Sequence, residues 1–152
     1  NYKEYEGECM GEDWHVQAAV DLYGPADLVD AFESSLESMN ANETVEFGVN
    51  KIEDSAVYKL FGCTPEENPE LWKEASPTML VSDKMCPMLI FHGTRDKLVD
   101  YEQSVELYEK IEAMGRTDCD FYTCKGYGHG ADCFFQPDTR AVILEFFNKH
   151  LL

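Results

Sequence analysis

His129 stands in the run CKGYGHGADCFF, Cys124 to Phe135, between glycines and directly after a strand-like segment. Glycines at 126, 128 and 130 give the backbone the latitude needed when a side chain, a catalytic base for instance, must be held in an unusual loop conformation. A second polar constellation, FHGTRDKLVD, places Asp96 a few residues beyond another strand-like run. A carboxylate that accepts a hydrogen bond from one imidazole nitrogen fixes the tautomer and stabilises the imidazolium, leaving the other nitrogen to act as general base. Asp96 and His129 are therefore the candidate catalytic residues, two members of a charge-assisted triad. Competing side chains have plainer uses. Asp100 suits a helix cap, His92 fits a packed or turn-stabilising role, and His15 and His150 read as surface residues.

Such a pair works only if folded elements bring it together. The run CPMLIFHG is apolar without polar alternation, which predicts a buried parallel strand over Met88 to Phe91. CDFYTCKG predicts the next strand, and VQAAVDLYGP, ended by Gly24 and Pro25, an earlier one over Val16 to Leu22. Between the last two strands, Asp100 and Gln103 are expected to cap a helix running to Met114, with Tyr101, Val105, Tyr108 and Ile111 on one face and Gly115 at its end. DTRAVILEFFNKHLL closes the chain as an amphipathic helix.

Helical signals fill the stretch between the first two strands. Leu28, Phe32, Leu36 and Met39 recur at helical spacing, followed by a loop over Asn40 to Asn50. Ile52, Ala56 and Leu60 predict one face of a further helix stopped at Gly62. Thr64 to Glu67 has capping-box spacing with Pro65 at the first helical position, and Asn68-Pro69 is another start signal before Leu71 and Trp72. Alternating strands and helices imply parallel pairing through right-handed crossovers, and ligands then bind at the carboxyl ends of the strands. Loops bearing Asp96 and His129 would meet there.

Composition narrows the function further. The 152 residues, 44% hydrophobic, suffice for a single packed domain. With 30 acidic and 12 basic residues the formal charge is −18, which repels nucleic acid and anionic membrane surfaces. No apolar run approaches the roughly 18 residues that span a bilayer. Six cysteines show neither CxxC pairs nor zinc spacing, so reduced, packed thiols are expected and a cytoplasmic setting is weakly favoured. The sequon at Asn42 would matter only in a secreted protein.

Three segments taken together, VQAAVDLYGPADL, ASPTMLVSDKMCPMLIFHGTRDKLVDYEQSVELYEKIEAMG and YTCKGYGHGADCFF, resemble the C-terminal half of an α/β-hydrolase. The similarity points to acetyl esterases and carbohydrate esterase-like lipases, in which the triad runs serine, acid, histidine along the chain. It implies Asp96 as the acid and His129 as the base. Asp100 departs from the pattern, since relatives often carry proline there. The family's nucleophile sits in GxSxG at a sharp strand-to-helix turn, and no GxSxG occurs in this sequence. Cys9 in GECMG is a poor substitute. NYKEYE is too polar for the buried strand an elbow follows, and only six residues separate Cys9 from Val16 where a parallel crossover needs a dozen or more. The nucleophile is thus expected upstream of Asn1, and the chain alone is expected to be inactive.

The resemblance implies a partial α/β-hydrolase fold: three C-terminal parallel strands, flanking helices, and a helical insert over residues 26–76 in one domain spanning 1–152. It implies a serine-dependent carboxylic ester hydrolase acting on short-chain or carbohydrate acyl esters, with no metal or cofactor. A prolyl oligopeptidase-like peptidase and a non-catalytic interaction module remain as alternatives. The partner expected beyond a small-molecule ester is a second copy of the chain or the missing N-terminal half, joined at the strand over Val16 to Leu22, which carries only Asp21 as a charge.

Overall fold

The computed structural model describes residues 15–41 and 50–151. Cys9, the GECMG run and the Asn42 sequon lie outside the described residues, as does most of the loop expected over Asn40 to Asn50. Three parallel strands form one sheet in the order β1 (Ala19–Leu22), β2 (Met88–Gly93), β3 (Cys119–Cys124). Ala19 pairs with Met88 and Leu22 with Phe91; across the other edge Met88 pairs with Cys119 and Gly93 with Cys124. This is the three-stranded parallel arrangement expected of a partial α/β-hydrolase fold. β1 is shorter than the apolar run suggested, because Val16 lies outside the ladder and is largely exposed.

β2 is covered on both faces, which is why its sequence shows no polar alternation. Ile90 packs with Leu107, Ile111 and Cys119 on the side of α5 (Tyr101–Ala113). Leu89 and Phe91 pack with Phe134 and Phe146 on the side of α6 (Pro137–Leu151). Between β1 and β2 run α1 (Leu28–Asn40), α2 (Ala56–Phe61), α3 (Pro69–Ala75) and the single turn α4 (Pro77–Leu80). Leu28, Phe32 and Trp72 make a core of their own there, with the Trp72 ring against Phe32 and Phe61. Ser76 ties the end of α3 to the start of α1: its hydroxyl accepts from the Leu28 N–H at 2.9 Å and donates to the Trp72 carbonyl at 2.8 Å.

Several faces differ from the periodicity. In α2 the inward residues are Val57, Tyr58 and Phe61, whereas Ala56 and Leu60 are exposed. Ser55 caps this helix afresh after a 3-10 turn at Ile52–Asp54, so a helical phase carried through from Ile52 is lost. In α5 the buried residues are Gln103, Ser104, Leu107 and Ile111, with Tyr101, Val105 and Tyr108 only partly buried. Asp100 occupies the N-cap position without a side-chain cap, and Gln103 does not cap α5 at all. Its Oε1 instead accepts from the N–H groups of Ala26 and Asp27 at 2.9 and 2.8 Å. Only half the capping box at Thr64 forms: Glu67 accepts from the Thr64 N–H at 2.8 Å, but the residues between them make a turn. No helix among the described residues is long and apolar enough to cross a membrane.

One backbone conformation stands out. Tyr23, immediately after β1, has φ +51° and is the sole non-glycine residue of positive φ among those described. A side chain in this left-handed region costs roughly 1–2 kcal/mol.

Candidate active site

The two polar loops leave the carboxyl ends of β2 and β3 and are laced together by their backbones. Arg95 N–H donates to the Tyr127 carbonyl at 2.9 Å, Thr94 N–H to the Cys124 carbonyl at 3.2 Å, and Gly126 N–H to the Thr94 hydroxyl at 2.9 Å. The approach is so close that a Cβ on Gly93 would lie 2.3 Å from the Tyr127 carbonyl oxygen. Gly126 and Gly130 hold φ +86° and +64°, which side-chain-bearing residues rarely adopt, and between them the chain turns His129 back over the sheet. His129 Nδ1–H donates to Asp96 Oδ2 at 2.9 Å.

Asp96 is surrounded by donors. Its other oxygen accepts from the N–H groups of Leu98 and Val99 at 2.9 and 3.0 Å. The fully buried His92 places Nε2 at 3.0 Å from the Val99 carbonyl and 3.3 Å from Asp96 Oδ2. A carbonyl only accepts, so Nε2 carries a proton, and the Ser104 hydroxyl donates to Nδ1 at 2.7 Å. Burial alone would raise the Asp96 carboxyl, but the bonds from His129, His92, Val99 and Leu98 outweigh it and hold the group well below the usual carboxylate range. A carboxyl depressed on folding adds stability that is fully present above its unfolded value near 4 and is lost as pH falls toward the lower folded value. Acid denaturation followed by circular dichroism should therefore show a stability loss setting in below about pH 5 that is blunted in Asp96→Asn; identical acid profiles for the two proteins would refute it.

A cavity of about 480 Å³ opens against His129, with Leu22, Tyr23, Pro25, Leu98 and Val99 among its walls. Its lining is mostly apolar, as small-molecule sites are. The Tyr23 ring stands 4.5 Å from the His129 ring at 64° and 4.6 Å from Phe134. A larger cavity of about 560 Å³ between α1 and α5 is lined by carboxylates including Glu33, Glu37, Glu106 and Glu109, and neither Asp96 nor His129 reaches it. The thiols near the His129 loop are poor nucleophiles. Burial, reinforced by the neighbouring Cys133, pushes Cys124 up to about 12, and burial likewise raises Cys133. Among the described residues, no group of three or more His, Cys, Asp or Glu is arranged to hold a metal ion.

The structure thus brings Asp96 and His129 together and keeps Asp100, His15 and His150 out of their contact. His92 is packed and braces the turn, as expected, but sequence reasoning missed its partner Ser104, its approach to Asp96 and the aromatic contact made by Tyr23. A histidine inside an otherwise apolar strand end, with a serine one helical turn into the next element, is the signal that could have pointed to the first.

Comparison with known proteins bears on the family and the fold. A family model described as BD-FAE matches residues 1–111. Esterase LipC of Mycobacterium tuberculosis is 30% identical over 133 residues, which covers 87% of this chain and 30% of that protein. A truncated form of a carbohydrate esterase from gut microbiota is 28% identical with a TM-score of 0.66, covering 90% of this chain and 43% of that one. The acylaminoacyl peptidase of Pyrococcus horikoshii shares the fold at 20% identity and a TM-score of 0.61, covering 92% of this chain and 20% of that one. The chain thus spans less than half the length of each of these relatives.

Proposed function

Because this chain belongs to the BD-FAE family of esterase-like hydrolases, we propose that the protein it forms part of is a serine-dependent carboxylic ester hydrolase acting on short-chain or carbohydrate acyl esters. The observation that carries the reading is the 2.9 Å bond from His129 Nδ1 to the buried Asp96, at the mouths of adjacent parallel strands and beside a largely apolar cavity.

In this reading His129 Nε2 takes the proton of a serine hydroxyl as its oxygen attacks the ester carbonyl. The same nitrogen then returns that proton to the departing alcohol, leaving an acyl-enzyme. Water repeats the sequence, giving up a proton to Nε2 as it attacks the acyl group, and the serine is released with a carboxylic acid. Asp96 stays ionised throughout and keeps the protonated Nδ1 pointed at itself. The serine belongs to a strand-turn-helix elbow upstream of this chain. Two facts support that placement: no GxSxG occurs in the sequence, and the chain spans 30% of LipC and 43% of the carbohydrate esterase. The four residues of β1 are only half-buried, and we assign its outer edge to a strand of that upstream half, with a second copy of the chain as the substitute partner when the half is absent.

The test is hydrolysis of an activated acetate ester, measured for this chain alone and for the chain joined to the sequence encoded upstream of it. The joined protein should turn the ester over and lose that activity in His129→Ala, while the chain alone should do no better than a generic protein surface. A joined protein inert toward esters overturns the esterase reading. Turnover by the chain alone that vanishes in His129→Ala overturns the upstream serine, and loss in Cys9→Ala would identify Cys9 as the nucleophile.

A further inference from the structure

Every backbone N–H from Tyr23 to Asp30 has an assigned acceptor, apart from Pro25, which has none to give. Tyr23 N–H extends the ladder to the Phe91 carbonyl at 2.8 Å, and Gly24 N–H closes on the Asp21 side chain at 2.9 Å. Ala26 and Asp27 share Gln103 Oε1, Leu28 donates to Ser76, and Val29 and Asp30 donate to the Asp27 carboxylate. The turn leaves no room at its corner, since a Cβ on Gly24 would stand 2.6 Å from Asp21 Oδ1. Backbone strain persists only where the surroundings over-determine it, and it gathers at functional positions. The strained residue here is Tyr23, at φ +51°, with its ring against His129.

We infer that Tyr23 is a positioning residue for His129, and that the turn closed by Asp21 on Gly24 is the device that aims its ring. The left-handed backbone swings the Tyr23 ring off the end of β1 and onto the imidazole, wedged between His129 and Phe134. Asp96 fixes the imidazole at Nδ1, and the Tyr23 ring meets the imidazole ring away from that bond, with centroids 4.5 Å apart at 64°. This edge-type ring contact adds a second point of support and limits the tilt of the imidazole. A glycine at this position would relieve the backbone and lose the contact, so the strain is retained for the ring. This role rests on the reading of His129 as the base.

The lifetime of the His129 Nδ1 proton against exchange with water, followed at low field by proton NMR in the purified protein, measures how firmly the imidazole is held. Tyr23→Phe keeps the ring and should leave the lifetime within about two-fold of wild type, whereas Tyr23→Gly should shorten it about ten-fold or more. Asp21→Ala, which opens the turn with the tyrosine still present, should shorten it as well, and Asp21→Asn, which retains an acceptor oxygen, should restore it. Amide exchange at Leu89, Ile90 and Phe91 reports the stability of the sheet and should stay unchanged in the same samples. A Tyr23→Gly lifetime within about two-fold of wild type overturns the proposal, as does a parallel acceleration at the β2 amides, which would mark Tyr23 as merely structural. If Tyr23→Gly fails to fold, Tyr23→Leu, apolar but without a flat ring, is judged by the same criteria. Ester turnover plays no part in this readout, so a failure here leaves the esterase reading standing and is distinguishable from an inert joined protein, which overturns that reading on its own.

Discussion

Asp96→Asn is expected to lower kcat for ester hydrolysis by about 10⁴-fold in the active protein, with KM little changed. The amide has one acceptor oxygen and one donor nitrogen. If the oxygen keeps the Leu98 and Val99 N–H groups, the nitrogen faces the two imidazole N–H groups that Asp96 Oδ2 now accepts. His129 resolves that conflict by moving its proton to Nε2, the nitrogen that must receive the nucleophile's proton. His92 has no such escape, since its Nε2 proton is also held by the Val99 carbonyl. Steady-state kinetics on an activated ester decides the matter: a loss of less than about ten-fold would remove Asp96 from the triad.

The second large effect belongs to a residue with no side chain. Gly93→Ala places a methyl group 2.3 Å from the Tyr127 carbonyl oxygen and 2.8 Å from its carbon. Both are backbone atoms inside a hydrogen-bonded turn, so neither can swing aside as a flexible side chain would. The His129 loop must lift off the end of β2, with a stability cost of about 3 kcal/mol and loss of most activity. Gly128→Ala is the natural control, because its Cβ would meet the Arg95 carbonyl oxygen at 3.2 Å, a clash that a few tenths of an ångström relieve. Urea denaturation should separate the two clearly. A Gly93→Ala protein within about 0.5 kcal/mol of wild type would show that the loops are not in contact as described.

The parts of the fold that could be read from the sequence are those where local chemistry and tertiary environment agree. Met88 to Phe91 is an unbroken apolar run because both faces of β2 are covered, and the structure only extends it to Gly93. The adjacency of Asp96 and His129 was legible because each lies a short, glycine-punctuated distance beyond its strand, and parallel neighbours bring such loops together. The inward face of α5 was not legible. Gln103 and Ser104 look like surface residues until their partners are known, and those partners are the N–H of Ala26, 77 positions away, and the ring of His92. A buried polar residue is identified by its hydrogen bonds, which periodicity cannot express. The same holds for Tyr23, whose left-handed backbone depends on Phe91, Asp21 and Gln103 acting at once.

The register of the sheet also bears on the order in which the chain assembles. Pairing Met88 with Cys119 closes a loop of 119 − 88 = 31 residues, whereas pairing Ala19 with Met88 closes one of 88 − 19 = 69. On chain entropy alone the longer closure is less favourable by about 0.7 kcal/mol, and the shorter one is spanned by α5, a helix that forms from local contacts. The unit from β2 through α5 to β3 is therefore the more local half of the topology. Asp96 and His129 both hang from its strands. The bond between them can form before β1 docks, and the docking of β1 then brings Tyr23 against an imidazole already oriented by its carboxylate.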